Sequence, residues 1–473
     1  MTLEFLHGIE TVEINDAQRP IRVLRSSVIG LVGTAPLADA DRFPLDRPVL
    51  VTSRLQLAAL GDAGTLAPQL KLIYAQAGAV VVVIRVAQGA DEHETITHVS
   101  GGVDATTGQR TGIHALRDAQ SSVGVIPSLL IAPGFTHQRS KDGVLTVPVI
   151  EGGSGHIDSP VVTASAPEAG RTARLTAVLG AGAQAGKVVA IQIDDPGEGY
   201  TTAPTISISE PPPDGTATTL GNATLGDARN RVVSELLTIA EGLSGIVIID
   251  GPSTTDDAAI HVASDWDADR AYLVDPWVVT SSGLTVPASG AVAGLINRVD
   301  SELGFHQSPS NQILRGISGI SRPIDHSYSD RSARSQLLNE RNVTVIVHDA
   351  GYRLWGNRTL ARDPLYAFLA VRRIADAIAR SISAAHLYAV DRSITAGYVD
   401  SVLGNVNAFI RTLLSRGAIA GGRAWADPDY NTADQLQQGR IRIDYDFSPC
   451  PPAEHIQFAS HVVSDYLVNV IPA

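Results

Sequence analysis

Four groups of residues in this sequence have types and spacings that approach known chemistry. Gly180 to Lys187 approaches a phosphate loop, in which backbone amides cradle phosphates, a lysine neutralises them and a following Ser or Thr binds magnesium. Ala181 occupies the first required glycine position, and Val188 stands where the Ser or Thr must be. Small flexible residues in a β-rich stretch are the better reading. His93-Glu94 with His98 approaches a zinc-binding helix, but the spacing is five instead of four, so the two histidines would not share a face. His455 and His461 stand six apart on an expected strand and read as surface or interface histidines. Ser, His and Asp are all present, yet no Gly-x-Ser-x-Gly elbow occurs. Cys450 is the one cysteine, which excludes an intrachain disulfide and a cysteine metal cluster and reads as a small buried or half-buried residue. The sequence therefore offers no catalytic, cofactor-binding or metal-ligating set.

The bulk properties narrow the class further. A chain of 473 residues with 44% hydrophobic and 18% charged residues can bury a large core, and its length predicts about three domains. A net charge of −13 and a pI near 5.4 argue against nucleic acid, which needs a basic face. The longest apolar run, Ala79 to Val86, is far shorter than a membrane span and reads as a buried strand. Met1 to Glu10 has no basic region followed by an apolar stretch, so no secretory signal is expected. Together these features predict a soluble protein made in a cytoplasm, with no membrane insertion.

The elements that would position any function follow from periodicity. Short β-branched runs recur at Val28–Gly33, Ala79–Val86, Leu129–Ile131, Ile246–Ile249 and Tyr272–Val274, with helical segments expected over 65–78, 111–124 and 227–242. Continuous apolar strands alternating with helices predict an α/β fold: a central, mostly parallel sheet with helices on both faces. From about 143 to 225 the helical pattern disappears, Gly, Pro, Thr, Ser and Ala dominate, and Thr205 to Ser209 alternates. This predicts a β-rich domain inserted at a loop tip.

The C-terminal third changes character again. Asp363-Pro364 predicts a helix start, with Val371, Ile374, Ile378 and Ile382 on one stripe. A second helix is expected from Thr395 to Arg416, burying Val399, Val402, Val406, Phe409, Ile410 and Leu413. Arg440 to Phe447 and His455 to Val462 alternate as strands, separated by Pro449, Pro451 and Pro452. Val12 and Ile14 alternate likewise near the N-terminus. The expected division is an arm over 1–20, an α/β domain over 21–142 with 226–340, the insert over 143–225, an α+β C-terminal domain over 341–452 and an arm over 453–473. Strands without a partner on their own domain invite strand addition by another copy, through Val12, Ile14, Ile456 and Phe458. Head-to-tail contacts of that kind build rings or filaments.

Several motifs in this chain resemble those of contractile phage tail sheath proteins, the group that includes temperate enterobacterial phages and R-type pyocins. Tyr352-Arg353-Leu354-Trp355-Gly356-Asn357-Arg358-Thr359 is similar to an aromatic, Arg, x, Trp-Gly-x-Arg-Thr signature, and Asp363 to Phe368 follows at the family's distance. Ala389 to Thr395, Ile443 to Pro449 with Pro451-Pro452, His7-Gly8, Ile29 to Ala35 and Phe43-Pro44-Leu45 also agree in order. The likeness covers about 1–140 and 226–473; compact members lack the stretch between. The resemblance implies a structural subunit of subtilisin-like topology without catalytic residues. It implies hexameric rings stacked around an inner tail tube, capped by baseplate and terminator proteins. It also implies contraction from a metastable extended lattice, with the C-terminal domain against the tube. Arg411 and Arg416, on the helix ending at 416, are the candidate tube contacts; Arg353, Trp355, Gly356 and Arg358 are expected to fix the C-terminal domain. The expected location is the virion tail, assembled in a bacterial cytoplasm. A hydrolase of subtilisin-like topology and an adhesin acting through 143–225 are the alternatives.

Overall fold

A computed structural model describes residues 21–464 apart from Ala105; the arm residues Val12 and Ile14 lie outside the described residues. Its centre is an eight-stranded sheet. In chain order the strands are β1 (Ile29–Thr34), β2 (Val49–Val51), β3 (Val81–Val86), β4 (Leu129–Ile131), β5 (Ile246–Asp250), β6 (Ala271–Val274), β7 (Val343–His348) and β8 (Tyr352–Trp355). They lie in the order β2-β3-β1-β4-β5-β6-β7-β8. The six inner strands are parallel, and the edge strands β2 and β8 run antiparallel to their neighbours. The fold is thus mixed α/β around a large, mostly parallel sheet.

Burial on both faces explains the unbroken apolar runs. Along β5, Ile246 and Ile248 face one core cluster, and Val247 and Ile249 face the other. The first face is covered by α1 (Leu66–Gln76) and, later in the chain, the helix Ser289–Glu302; the second is covered by α2 (Glu92–Ser100), α3 (Arg231–Leu243), α4 (Asp256–Ser264) and a 3-10 turn at Gly112–Asp118. The helix Ser289–Glu302 is α5; α6 (Arg334–Glu340) completes the second layer. The expected helix over 111–124 is therefore a 3-10 turn followed by one short α-turn, Ala119–Val123. The helix expected from 227 starts at Arg231 instead, because Thr224–Ala228 is a strand; Asn230 Oδ1 caps α3 by accepting from the Val233 amide at 2.9 Å.

Residues 140–228 leave the sheet beyond the C-terminal end of β4. Ser140–Thr146 pairs antiparallel with Thr224–Ala228 to make a neck. Beyond it lies a four-stranded antiparallel sheet of Val188–Asp195, Arg174–Leu179, Val161–Ala164 and Ile206–Ile208. It has a core of its own, with Val144, Val162, Leu175, Ala177, Val188 and Tyr200 buried together.

The boundary expected at 341 is corrected. β7 pairs parallel with β6, Leu273 opposite Val343, and Val343, Val345, Ile346 and Val347 are fully buried in the central core. Residues 341–355 therefore close the central sheet. The separate C-terminal unit is α7 (Leu369–Ala385), α8 (Ala396–Ser415) and a two-stranded antiparallel sheet of β9 (Ile419–Trp425) and β10 (Asp444–Pro449). Asp363 caps only a 3-10 turn, accepting from the Leu365 amide at 2.9 Å, and α7 begins at Leu369.

Candidate assembly surfaces

The C-terminal unit folds because two amphipathic helices share one stripe. Ile374, Ala377 and Ile378 of α7 meet Val406, Phe409, Ile410 and Leu413 of α8, and Ile419 and Ala424 of β9 close the cluster. Ile21 and Phe305 join it from outside the unit, so the start of the described chain is built into this core. Asn407 Nδ2 donates to Ala424 O and Asn407 Oδ1 accepts from the Ala424 amide, at 3.1 and 2.9 Å, which fixes β9 on α8. Among the described residues no third strand pairs with β9 or β10. A two-stranded sheet of this kind offers two open ladders.

From Cys450 to Ser464 the described chain has no regular structure. Ile456 is 65% exposed, Phe458 90% and Val462 103%. The strand expected at 455–462 is thus not formed: the alternation is there in the sequence, but among the described residues no backbone pairs with it. The expected strand start at Arg440 is also corrected. Asn431 takes the Arg442 amide and carbonyl at 2.7 and 2.9 Å, which holds that segment in a loop until Asp444.

The signature residues divide between two tasks. Arg353, Trp355 and Gly356 belong to the central sheet rather than to the C-terminal unit. Arg353 Nε donates to Asp349 O at 2.9 Å and Nη1 to Asn311 O at 3.0 Å, tying both flanks of β8. Trp355 packs edge-on against His326 at 4.5 Å. Gly356 has φ of +142°, and a Cβ there would stand 2.7 Å from Thr344 Oγ1, so only glycine fits; its carbonyl accepts from buried Tyr272. Arg358 instead holds the exposed tail: Nε donates to Glu454 Oε1 at 2.7 Å while the guanidinium lies 5.1 Å from the Phe368 ring. The pair is about two-fifths exposed on each side, so it orients the tail more than it stabilises the fold.

The two candidate tube contacts, Arg411 and Arg416, are both exposed. Arg411 makes no hydrogen bond or ion pair among the described residues. Arg416 follows the last turn of α8 and lines the cavity of about 470 Å³ between this unit and the end of α5. There burial, and then the Arg416 charge, push the His306 pKa below its usual value.

A buried ionic joint, invisible to the sequence reading, fastens α7 to the starts of the parallel strands. Arg270, just before β6, grips Asp376 with two bonds of 2.8 and 2.9 Å. Arg372 bridges Asp269 and Asp376 at 3.0 and 2.8 Å. Arg373 pairs with Asp300 of α5 and donates to Ser26 O, before β1; its side chain is 3% exposed and that of Asp300 6%. The C-terminal unit therefore sits at the N-terminal end of the sheet, whereas the 140–228 insert leaves from the opposite end.

The sites that approached chemistry resolve into other roles. Gly182–Gln184 is a turn between two antiparallel strands of the insert, with no helix following it. His93 approaches Asp195 at 3.2 Å and its pKa is lowered by burial, while His98 Nδ1 contacts Ala87 O at 3.0 Å. His455 and His461 lie on the exposed tail. Missed by sequence is a Ser–Asp pair: Ser289, opening α5, donates to Asp250 at the end of β5 at 2.6 Å, and its amide donates at 2.7 Å. Both residues are fully buried, and burial pushes the Asp250 pKa up to about 7. Among the described residues no histidine bonds this pair; it pins a helix to a strand.

Two family models match the chain: the phage tail sheath protein central domain over residues 219–360, and the phage tail sheath C-terminal domain over 361–462. A putative prophage major tail sheath protein of Pseudomonas aeruginosa is 32% identical over 476 residues, covering 99% of both chains. The chain belongs to the phage tail sheath family. The tail sheath protein of Escherichia phage P2 is 28% identical, covering 99% of this chain and 98% of that one. Two solved structures have the same fold. The anti-feeding prophage helical sheath in its contracted state has a TM-score of 0.59 at 18% identity, covering 97% of this chain and 99% of that one. An extracellular contractile injection system sheath complex, also contracted, has a TM-score of 0.58 at 15% identity, covering 98% and 99%.

Proposed function

We propose that this chain is the structural subunit of a contractile tail sheath, polymerising around an inner tube and contracting to drive that tube through a target cell envelope. The observation that carries the reading is the tail: an alternating apolar segment, Ile456 to Val462, exposed beside a two-stranded sheet with both edges open. Seated on the open edge of a neighbouring copy, such a segment gains a backbone ladder and hides its apolar side chains. Family membership supplies the context. The N-terminal arm, including Val12 and Ile14, is proposed to pair in the same way, giving stacked hexameric rings. The extended lattice would be metastable, its subunits moving as rigid bodies on contraction.

The C-terminal unit would face the tail tube, with Arg411 as the contact and Arg416 instead serving the junction with α5. The insert, at the opposite end of the sheet, would then face outward. Baseplate and terminator proteins are the other proposed partners, and the virion tail, assembled in the host cytoplasm, is the proposed location. The subtilisin-like description is carried for the sheet's topology alone, and we take the chain to be non-catalytic, with the buried Asp250–Ser289 pair serving the core. The test is Phe458→Asp combined with Ile456→Asp. Tubes seen by electron microscopy for the parent chain are expected to vanish while the circular dichroism spectrum is unchanged; tubes persisting in the double variant would overturn the role of the tail.

A further inference from the structure

The joint beneath α7 leaves one half-buried cation unmatched. Asp300 takes Arg373, and Asp269 and Asp376 together take Arg270 and Arg372. The fourth arginine of the cluster, Arg380, makes no hydrogen bond or ion pair among the described residues, and its Nε is buried without a partner. Four guanidinium groups thus face three carboxylates. Arg380 borders a small cavity of about 10 Å³ whose wall also includes Ser26, Ser128, Ser244, Arg373 and Asp376. That is room for one occupant of roughly water size. The Ser26 hydroxyl is spent on Asp300 at 2.6 Å and that of Ser128 on Ser26 O at 2.8 Å. The hydroxyl of Ser244, a residue held at φ of +50° where α3 ends, is the donor left over.

A charge partly removed from water without a bonded counter-charge is costly, and so is a buried unmet donor such as Arg380 Nε. A water molecule would answer the donor and leave the charge; a small anion answers both. We propose that this cavity binds a monovalent anion of chloride size, held by Arg380 and Ser244, and that the bound ion ties α7 to the strand starts. The sheath reading is not needed for this site, and the site can fail without touching that reading.

The test compares thermal unfolding of the full chain in sodium chloride and in sodium methanesulfonate at equal ionic strength. A ligand that binds only the folded state raises Tm, here by about 1 °C or more in chloride. Arg380→Gln is expected to abolish that difference, and Ser244→Ala to reduce it. Excess line broadening of the chloride-35 resonance by the parent chain, lost in Arg380→Gln, gives a second readout. Equal Tm in the two salts would overturn the site and leave the cavity to water. So would a salt difference that survives Arg380→Gln or, should that variant fail to fold, one undiminished in Ser244→Ala.

Discussion

Asp250 ends β5 with no solvent around it, and its carboxylate is answered only by the amide and hydroxyl of Ser289 and the nearby helix start. Its pKa of about 7 in the folded chain lies above the ~4 of an unfolded aspartate. The folded state thus holds a proton that the unfolded state has lost between those values, so this group's contribution to stability falls as pH rises from ~4 to ~7. Asp250→Asn removes the titration. The stability of the variant relative to the parent is expected to rise across that window, by about 1.4 kcal/mol for each unit of displacement, in urea unfolding at stepped pH. A flat difference would mean that Asp250 is ionised throughout. Single residues were legible where a motif demanded a conformation, as at Gly356, whose backbone only glycine adopts without a clash. They were illegible where partners meet across the sheet. Nothing in the spacing of Asp250 and Ser289 announces a bond between residues 39 apart.

Elements follow the same division. β1, β3 and β5 were readable because burial on both faces leaves an unbroken β-branched run. β9 was not, because Gly421, Gly422 and Arg423 interrupt its pattern and α8 with β10 supplies its partners. The bond between α7 and α5 rests on Arg373 and Asp300, both nearly inaccessible. Asp300→Ala strands a buried guanidinium and is expected to cost about 3–5 kcal/mol of unfolding free energy. Arg373→Met with Asp300→Leu should recover most of it, and a double variant as unstable as the single one would show that packing, not charge, makes the joint. The insert is the converse case, an element with its own core and a narrow neck. Gly143 and Gly226 are register partners there, so a two-residue Asn-Gly turn can replace everything between them. That deletion is expected to leave polymer formation intact by sedimentation, and loss of polymer would make the insert part of the lattice.

The whole molecule is an acidic α/β body with a small α/β unit at one end of its sheet, an insert at the other and an unpaired apolar tail. Among the described residues Phe458 is 90% exposed and no third strand pairs with β9 or β10. On the proposed reading another copy of the same chain would supply a ladder for the tail and a strand for the sheet, giving a head-to-tail polymer. The most direct measurement is electron microscopy of the purified full chain, alone and then with its tail tube protein. Hollow tubes of uniform width, formed alone or on the tube, are the predicted result. Discrete single particles at high concentration in both preparations would contradict it.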